Sequence, residues 1–349
     1  MISSLVWAVS MAQHLEDLGS FLHSGVAYRQ GLDPYGYYGW LHPQPIAPDA
    51  LNLNPPVSVY PFALLSFFNS EAVRWIFLVG NTLVFGLTLA ILAYAYPQKR
   101  SFIVILALFS TAGLWHMLGY LQIYAPLLLL VTGSWLAMRR GDLLMAGIMA
   151  GIVVAIKPNF VLWPVFLIAA GHRRTGVSAL ATFGLVSLIP LAVDGPGMYW
   201  SWFHLTSSFS GLQWASNSSI ASMTARFGSQ SLGFVIVGGL VVWLVWWLRQ
   251  NRTDLHSATT LGILAALLFG PASWAGYTLF LLPFLFSRSW NRPIWAGVLM
   301  LATPFWLVRT ATAQGSIWDP LVGPLYGWAV LLLLGTVLYE SGVRLRFTE

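Results

Sequence analysis

Leu143-Leu144-Met145-Ala146-Gly147-Ile148-Met149-Ala150-Gly151-Ile152-Val153-Val154-Ala155-Ile156-Lys157-Pro158-Asn159-Phe160-Val161-Leu162-Trp163-Pro164-Val165-Phe166-Leu167-Ile168-Ala169-Ala170-Gly171 is the stretch that decides the fold. It holds two apolar runs, 143–157 and 158–171, with one charge between them, and Arg139-Arg140 and Arg173-Arg174 bracket the whole. A straight span needs roughly 20 apolar residues. These runs are shorter, so they are either tilted or broken at Lys157-Pro158. Basic pairs collect on the cytoplasmic side of a membrane. The brackets therefore share that side, and Lys157 lies on the other.

The same reading extends outward. Further apolar runs occupy 71–96, 101–118, 120–138, 177–193, 232–248, 258–272, 275–287, 294–308 and 323–341. Residues 55–69 read as an interfacial or partly inserted helix. Residues 1–13 read as a very short span, or as the outer part of a first span; no cleavable signal peptide is read there. The expectation is an all-α polytopic membrane protein of about 11–12 transmembrane helices, a single domain over 1–349. Composition agrees: hydrophobic residues are 57% of the 349 and charged residues 8%, against roughly 45–50% and about 25% in soluble domains. So little charge cannot cover a soluble surface, which excludes an ordinary soluble enzyme, a nucleic-acid binder and a disordered chain. With 0 cysteines, thiolate metal sites, disulfides and thiol catalysis are excluded as well.

Of the 17 basic residues, Lys99, Arg100, Arg139, Arg140, Arg173, Arg174, Arg249, Arg252, Arg288, Arg292, Arg344 and Arg346 fall in alternate loops. Those loops are read as cytoplasmic, with both termini, in a multi-pass protein of the inner (plasma) membrane. Arg29, Arg74, Lys157, Arg226 and Arg309 remain on the external face, where orientation does not account for them. Two long loops, about 14–56 and 194–231, share that face, and loops on a rigid scaffold are where function collects.

Candidate residues follow from those leftovers. Glu16-Asp17 opens the first external loop. Adjacent carboxylates just beyond a span either end a helix at the interface or are used, and a partly dry carboxylate can act as general base. Arg29 lies in the same loop. Asn54-Pro55-Pro56 is a rigid helix entry. Gln122 offers an amide to a neighbouring helix or to a substrate. Lys157 either snorkels or meets a phosphate as a point charge. The second loop carries Asp194 and Arg226 among the rings Tyr199, Trp200, Trp202, Phe203, Phe209, Trp214 and Phe227, with Asn217-Ser218-Ser219 between. Such rings anchor a protein at the lipid interface, and they also suit a sugar face or a polyprenyl tail. Trp274 sits in the turn 270–277. Arg309 is an interfacial cation ten residues before Asp319. There is no P-loop and no dinucleotide fingerprint, and the 7 histidines show no metal-ligand spacing.

Taken in order, Asp17, Gly31-x-Asp33-Pro34-Tyr35, Asn54-Pro55-Pro56, Gly119 to Gln122, Lys157-Pro158, Asn217-x-Ser219 with Arg226, and Pro271-x-Ser273-Trp274 resemble the bacterial membrane glycosyltransferases of family 87, in the GT-C superfamily. The resemblance runs from about 17 to 285. It implies a GT-C-like bundle and transfer of a hexose, mannose-like, from a polyprenyl-phosphate carrier to a lipid-linked or glycan hydroxyl, with inversion, at the external or periplasmic face. It maps the general base to Asp17. Glu16, Arg29, Asn54, Gln122, Lys157, Asn217, Arg226, Trp274 and Arg309 are the substrate-binding candidates. The donor is a lipid-phosphate sugar, and no cofactor is implied; Glu16 and Asp17 could contribute to a divalent cation site. Expected partners are donor, acceptor and membrane lipids, without nucleic acid. Relatives carry an acidic residue and paired histidines after the family's Trp; here Ala275, Gly276 and Tyr277 stand there. A lipid-linked-sugar transporter or flippase and a non-catalytic lipid-sugar-binding relative are the alternatives. A transporter would show paired broken helices in two halves.

Overall fold

The structure is a computed structural model and describes residues 1–41, 52–208, 213–214, 217–251, 253–312 and 316–346. Phe209, Arg252 and the side chains of Arg344 and Arg346 lie outside the described residues, as do 42–51, 209–212 and 215–216 of the two expected loops.

In chain order the helices are α1 (Ile2–Ala12), α2 (Glu16–Arg29), α3 (Val59–Leu65), α4 (Ser70–Ala95), α5 (Phe102–Phe109), α6 (Ala112–Gly119), α7 (Tyr124–Arg139), α8 (Leu143–Ile156), α9 (Leu162–Ala169) and α10 (Arg173–Asp194). There follow α11 (Pro196–Ser207), α12 (Ile220–Arg226), α13 (Gln230–Gln250), α14 (Leu255–Phe269), α15 (Leu282–Ser287), α16 (Arg292–Leu301), α17 (Phe305–Ala311), α18 (Asp319–Val322) and α19 (Leu325–Arg346). Short 3₁₀ turns cover Pro56–Ser58, Pro158–Val161 and Ala275–Leu281. The chain is thus an all-α membrane protein, as its apolar runs require.

The number of full-length spans differs from the expected 11–12. Among the described residues, four helices are long and apolar enough to cross a membrane: α4, α10, α13 and α19. Two expected spans, 101–118 and 294–308, are bent pairs, α5–α6 at 42° and α16–α17 at 76°. The causes are local. The Ser110 and Thr111 hydroxyls donate back to the carbonyls of Leu106 and Leu108, which loosens the helix ladder at the first bend. Pro304 brings no N–H to the second. Other apolar runs form short helices: α8, the 158–169 segment, α14 and the 275–287 segment. The expected long loops also contain helices, α2 and α3 in the first and α11 and α12 in the second.

The opening stretch forms the first short pair. Helix α8 ends at Ile156, Lys157 adopts φ −130° and ψ 84°, and the chain turns back through Pro158 into α9. Helix α10 then runs beside α8 in the same direction. A Cβ on Gly147 would meet the Thr175 carbonyl at 2.5 Å, and one on Gly151 the Ala179 carbonyl at 2.4 Å, so these glycines allow the two backbones to touch. At 1.5 Å rise per residue this register leaves Lys157 about 10 Å short of the end of α10. The tip of the pair is therefore recessed. Helix α14 and the 275–287 segment make the second short pair. Its tip meets the first where Asn159 Nδ2 donates to the Ala272 carbonyl at 2.6 Å. Gly262 rides directly on Trp163, which is fully buried between α9 and α14.

The two tips form the floor of a recess, and the segments 52–58 and 217–219 descend onto it. At the opposite end the basic loops are tied together. Arg139 donates to Ala95 O at 2.7 Å, the Lys99 ammonium lies over the Trp290 ring, His172 Nε2 bonds Thr253 O at 2.8 Å, and Arg288 pairs with Glu340. Apolar side chains on α4, α10 and α13, among them Leu83, Leu185 and Val235, point outward and are exposed, as a lipid-facing surface requires.

Candidate functional site

Asp17 sits in the first turn of α2, outside the candidate spans. Leu15, at the cap, holds φ 51°, a left-handed conformation that a leucine rarely adopts. Such backbone is sparsely populated and persists only when packing enforces it. The enforcing contacts are the apolar cluster of Leu18, Phe21, Leu22, Phe62 and Leu121. Gly25 lets α2 lie on the backbone of α3, since a Cβ there would meet Phe62 O at 2.3 Å. Glu16, beside Asp17, is exposed.

Gln122 arrives from the break between α6 and α7. The residue before it, Leu121, is the second non-glycine in the left-handed region, at φ 53°. The amide Nε2 of Gln122 donates to Asp17 Oδ2. Asn81 of α4 donates to the Gln122 carbonyl at 2.8 Å, which fixes that turn. Gln122 Oε1 is buried without a partner among the described residues. Burial pushes the Asp17 carboxyl up from 3.8 to about 6, and the neighbouring Glu16 charge adds to the rise; the Gln122 hydrogen bond and the positive charge of Lys157 act against it.

Lys157 approaches from below, at the recessed tip, and is buried. Its Nζ donates to Asn54 Oδ1 at 2.6 Å, and it lies 5.2 Å from the centroid of the Tyr124 ring and 5.3 Å from that of Tyr277. Asn54 is oriented in turn: its Nδ2 donates to Asn52 Oδ1 at 2.9 Å, and its carbonyl accepts from the Tyr35 hydroxyl at 2.9 Å. The ammonium is near enough to Asp17 for each charge to act on the other, yet the two make no ion pair. Asp17, Gln122, Asn54 and Lys157, named from four separate parts of the chain, thus meet in one place. Composition gave no hint of Asn52, Asn81, Tyr124 or Tyr277. Asn52, Tyr124 and Tyr277 each stand within three residues of a candidate, whereas Asn81 has no candidate near it in sequence and carries no such signal.

The other candidates lie elsewhere. Arg29 donates to Ser66 O at 2.8 Å and stacks 3.7 Å over the Phe67 ring, so it ties α2 to the end of α3. Asn217 uses both ends of its amide: Nδ2 donates to Pro271 O at 3.0 Å, while Oδ1 accepts from the N–H of Ser219 and Ser273. It stitches the second segment to the floor, next to half-buried Trp274, whose ring faces Trp214 at 5.8 Å. Arg226 has a fully buried side chain, pairs with Asp319 and donates to the carbonyls of Gln213 and Trp214. Arg309 is exposed on α17; its charge and those of Glu16 and Asp17 all reach Tyr120. Gly276, one of the positions at which the resemblance implies an acidic residue or a histidine, has no room for a side chain: a Cβ would meet Tyr124 Cε2 at 2.3 Å and His116 Nδ1 at 3.2 Å. Among the described residues no group of three His, Asp or Glu could hold a metal ion.

Compared with known proteins, residues 52–271 match the family model described as glycosyltransferase family 87. No curated protein and no solved structure matches the chain.

Proposed function

The chain belongs to glycosyltransferase family 87 and is a membrane glycosyltransferase, and from that premise we propose that it moves a hexose, mannose-like, from a polyprenyl-phosphate carrier to a lipid-linked or glycan hydroxyl. The observation that carries this reading is the meeting of Asp17 and Lys157 in one recess, each bonded to a neutral amide and not to a counter-charge.

In this mechanism the acceptor hydroxyl donates its hydrogen bond to Asp17. Asp17 takes the hydroxyl proton as the acceptor oxygen attacks the anomeric carbon. The new C–O bond forms from the face opposite the carrier, and the bond from C1 to the phosphate oxygen breaks, with inversion. The leaving phosphate keeps the electron pair, and Lys157 stabilises its charge by taking a phosphate oxygen in place of Asn54 Oδ1. Because the recess is partly dry, that charge interaction is stronger than it would be in water. Gln122 orients the base. A site at a recessed tip suits this donor, whose head group is polar and whose tail belongs in lipid. Charge placement supports the orientation proposed with it: the tied basic end cytoplasmic with both termini, the recess on the external face of the inner membrane.

The test supplies purified protein in lipid with polyprenyl-phosphate-linked hexoses and a lipid acceptor, and follows carrier release and anomeric configuration. Inverted product from wild type, lost in Asp17→Asn and Lys157→Gln, is the expected result. Retained configuration, or turnover that survives Asp17→Asn, would overturn the mechanism.

A further inference from the structure

A second built feature lies at the opposite end of the bundle. Between α9, the start of α10 and the end of α13 runs a groove of about 420 Å³, lined by Val165, Ile168, Ala169, Val245, Arg173 and Arg249. Its walls are aliphatic and half-buried, and its only charges are the two guanidinium groups, both exposed.

Neither arginine has a carboxylate partner among the described residues. The acid nearest in sequence to Arg249, Asp254, is engaged in capping α14 through the N–H groups of His256 and Ser257. The position of Arg173 is held by its neighbour: His172 Nε2 bonds Thr253 O at 2.8 Å, which ties the α9–α10 turn to the chain just after α13. Beyond the groove the same two helices continue as exposed apolar surface, with Val177 on α10 and Val242 and Trp246 on α13. Two unpaired cations at the head of an aliphatic channel that runs out onto a lipid-facing surface complement one chemistry, an anionic head group joined to acyl chains. Basic pockets between transmembrane helices bind such head groups.

We propose that the α9–α10–α13 groove is a binding site for an anionic phospholipid of the leaflet at the basic end, with the phosphate held between Arg173 and Arg249 and an acyl chain along Val165, Ile168 and Val245. The site is remote from Asp17 and Lys157, and the inference stands or falls without the glycosyl-transfer reading.

The experiment uses the full chain, delipidated in neutral detergent. Thermal unfolding is followed by tryptophan fluorescence while phosphatidylglycerol, phosphatidylcholine, polyprenyl phosphate or inorganic phosphate is titrated in. Phosphatidylglycerol is expected to raise the midpoint, and phosphatidylcholine and inorganic phosphate are not. The Arg173→Gln/Arg249→Gln double variant should need about thirtyfold more phosphatidylglycerol for the same shift, from about fivefold per basic residue. An Arg140→Gln/Arg292→Gln variant, which removes two exposed arginines of the same end, should keep the wild-type response. Equal midpoints of wild type and Arg173→Gln/Arg249→Gln in phosphatidylcholine alone establish that the variant folds. The proposal is overturned by equal phosphatidylglycerol responses in both double variants, by equal stabilisation from phosphatidylcholine, or by stabilisation from inorganic phosphate or polyprenyl phosphate in its place.

Discussion

The two segments that descend onto the recess treat their charges in opposite ways. Around the first, Asp17 and Lys157 each bond to a neutral amide, Gln122 and Asn54, and the two opposite charges stand close without pairing. Around the second, Arg226 at the end of α12 is locked to Asp319 and to two backbone carbonyls, and Asn217 bonds at both ends of its amide. A charge held by an amide remains available to a substrate group. A charge locked to its counter-charge is a strut, and removing one partner leaves the other buried and unpaired. Under the proposed mechanism the first region serves the chemistry and the second serves support.

Asp17→Asn tests the first half of that contrast hardest. Turnover should fall by about 10²–10⁴, the usual contribution of a general base, with little change in affinity for either substrate. Stability should respond with the opposite sign. The folded carboxyl titrates near 6, above its ordinary 3.8, so the wild-type protein loses stability as pH rises through that interval. Asp17→Asn lacks this loss, and its midpoint at pH 8 should equal or exceed that of wild type. A marked drop would mean that Asp17 is a strut after all.

Lys157→Gln should lower kcat by about 10²–10³, as for loss of a preorganised electrostatic group. An unchanged kcat with a raised KM would demote Lys157 to a binding role.

Arg226→Gln probes the other segment and should separate stability from rate. Because Asp319 is partly exposed, the cost should fall below the ~3 kcal/mol of a fully buried pair, while kcat per folded molecule stays at the wild-type value. Adding Asp319→Asn should recover part of the stability; a large fall in kcat at full folding would move Arg226 into the site.

The smallest effect is in the pH profile. Since the base must be ionised, the acidic limb of kcat/KM should rise with pH through about 6. Gln122→Leu removes the hydrogen bond that lowers the Asp17 pKa, so the rising limb should move to higher pH. A limb that stays in place would dissociate Gln122 from the base.

Some of this was legible from residue types alone. Low charge and alternating basic loops specify a polytopic helical chain, because lipid tolerates few charges and orientation follows Lys and Arg. Asp17 and Lys157 could be picked out for the same reason, since a charge in so apolar a chain needs a purpose; Asn54 and Gln122 came in with the family resemblance. Tertiary structure decided the rest. Whether one of the leftover cations is free or paired depends on a partner 93 residues away, as for Arg226 and Asp319, and no local pattern carries that distance. The left-handed backbone at Leu15 and Leu121 is equally invisible, because leucine does not signal it and packing alone imposes it. The depth of Lys157 follows from Gly147 and Gly151 setting α8 against a longer α10. The sequence determined that this protein lives in a membrane and which charges were surplus there. Only the fold, by bringing distant segments onto two short helical tips, decided which of those charges were left available to react.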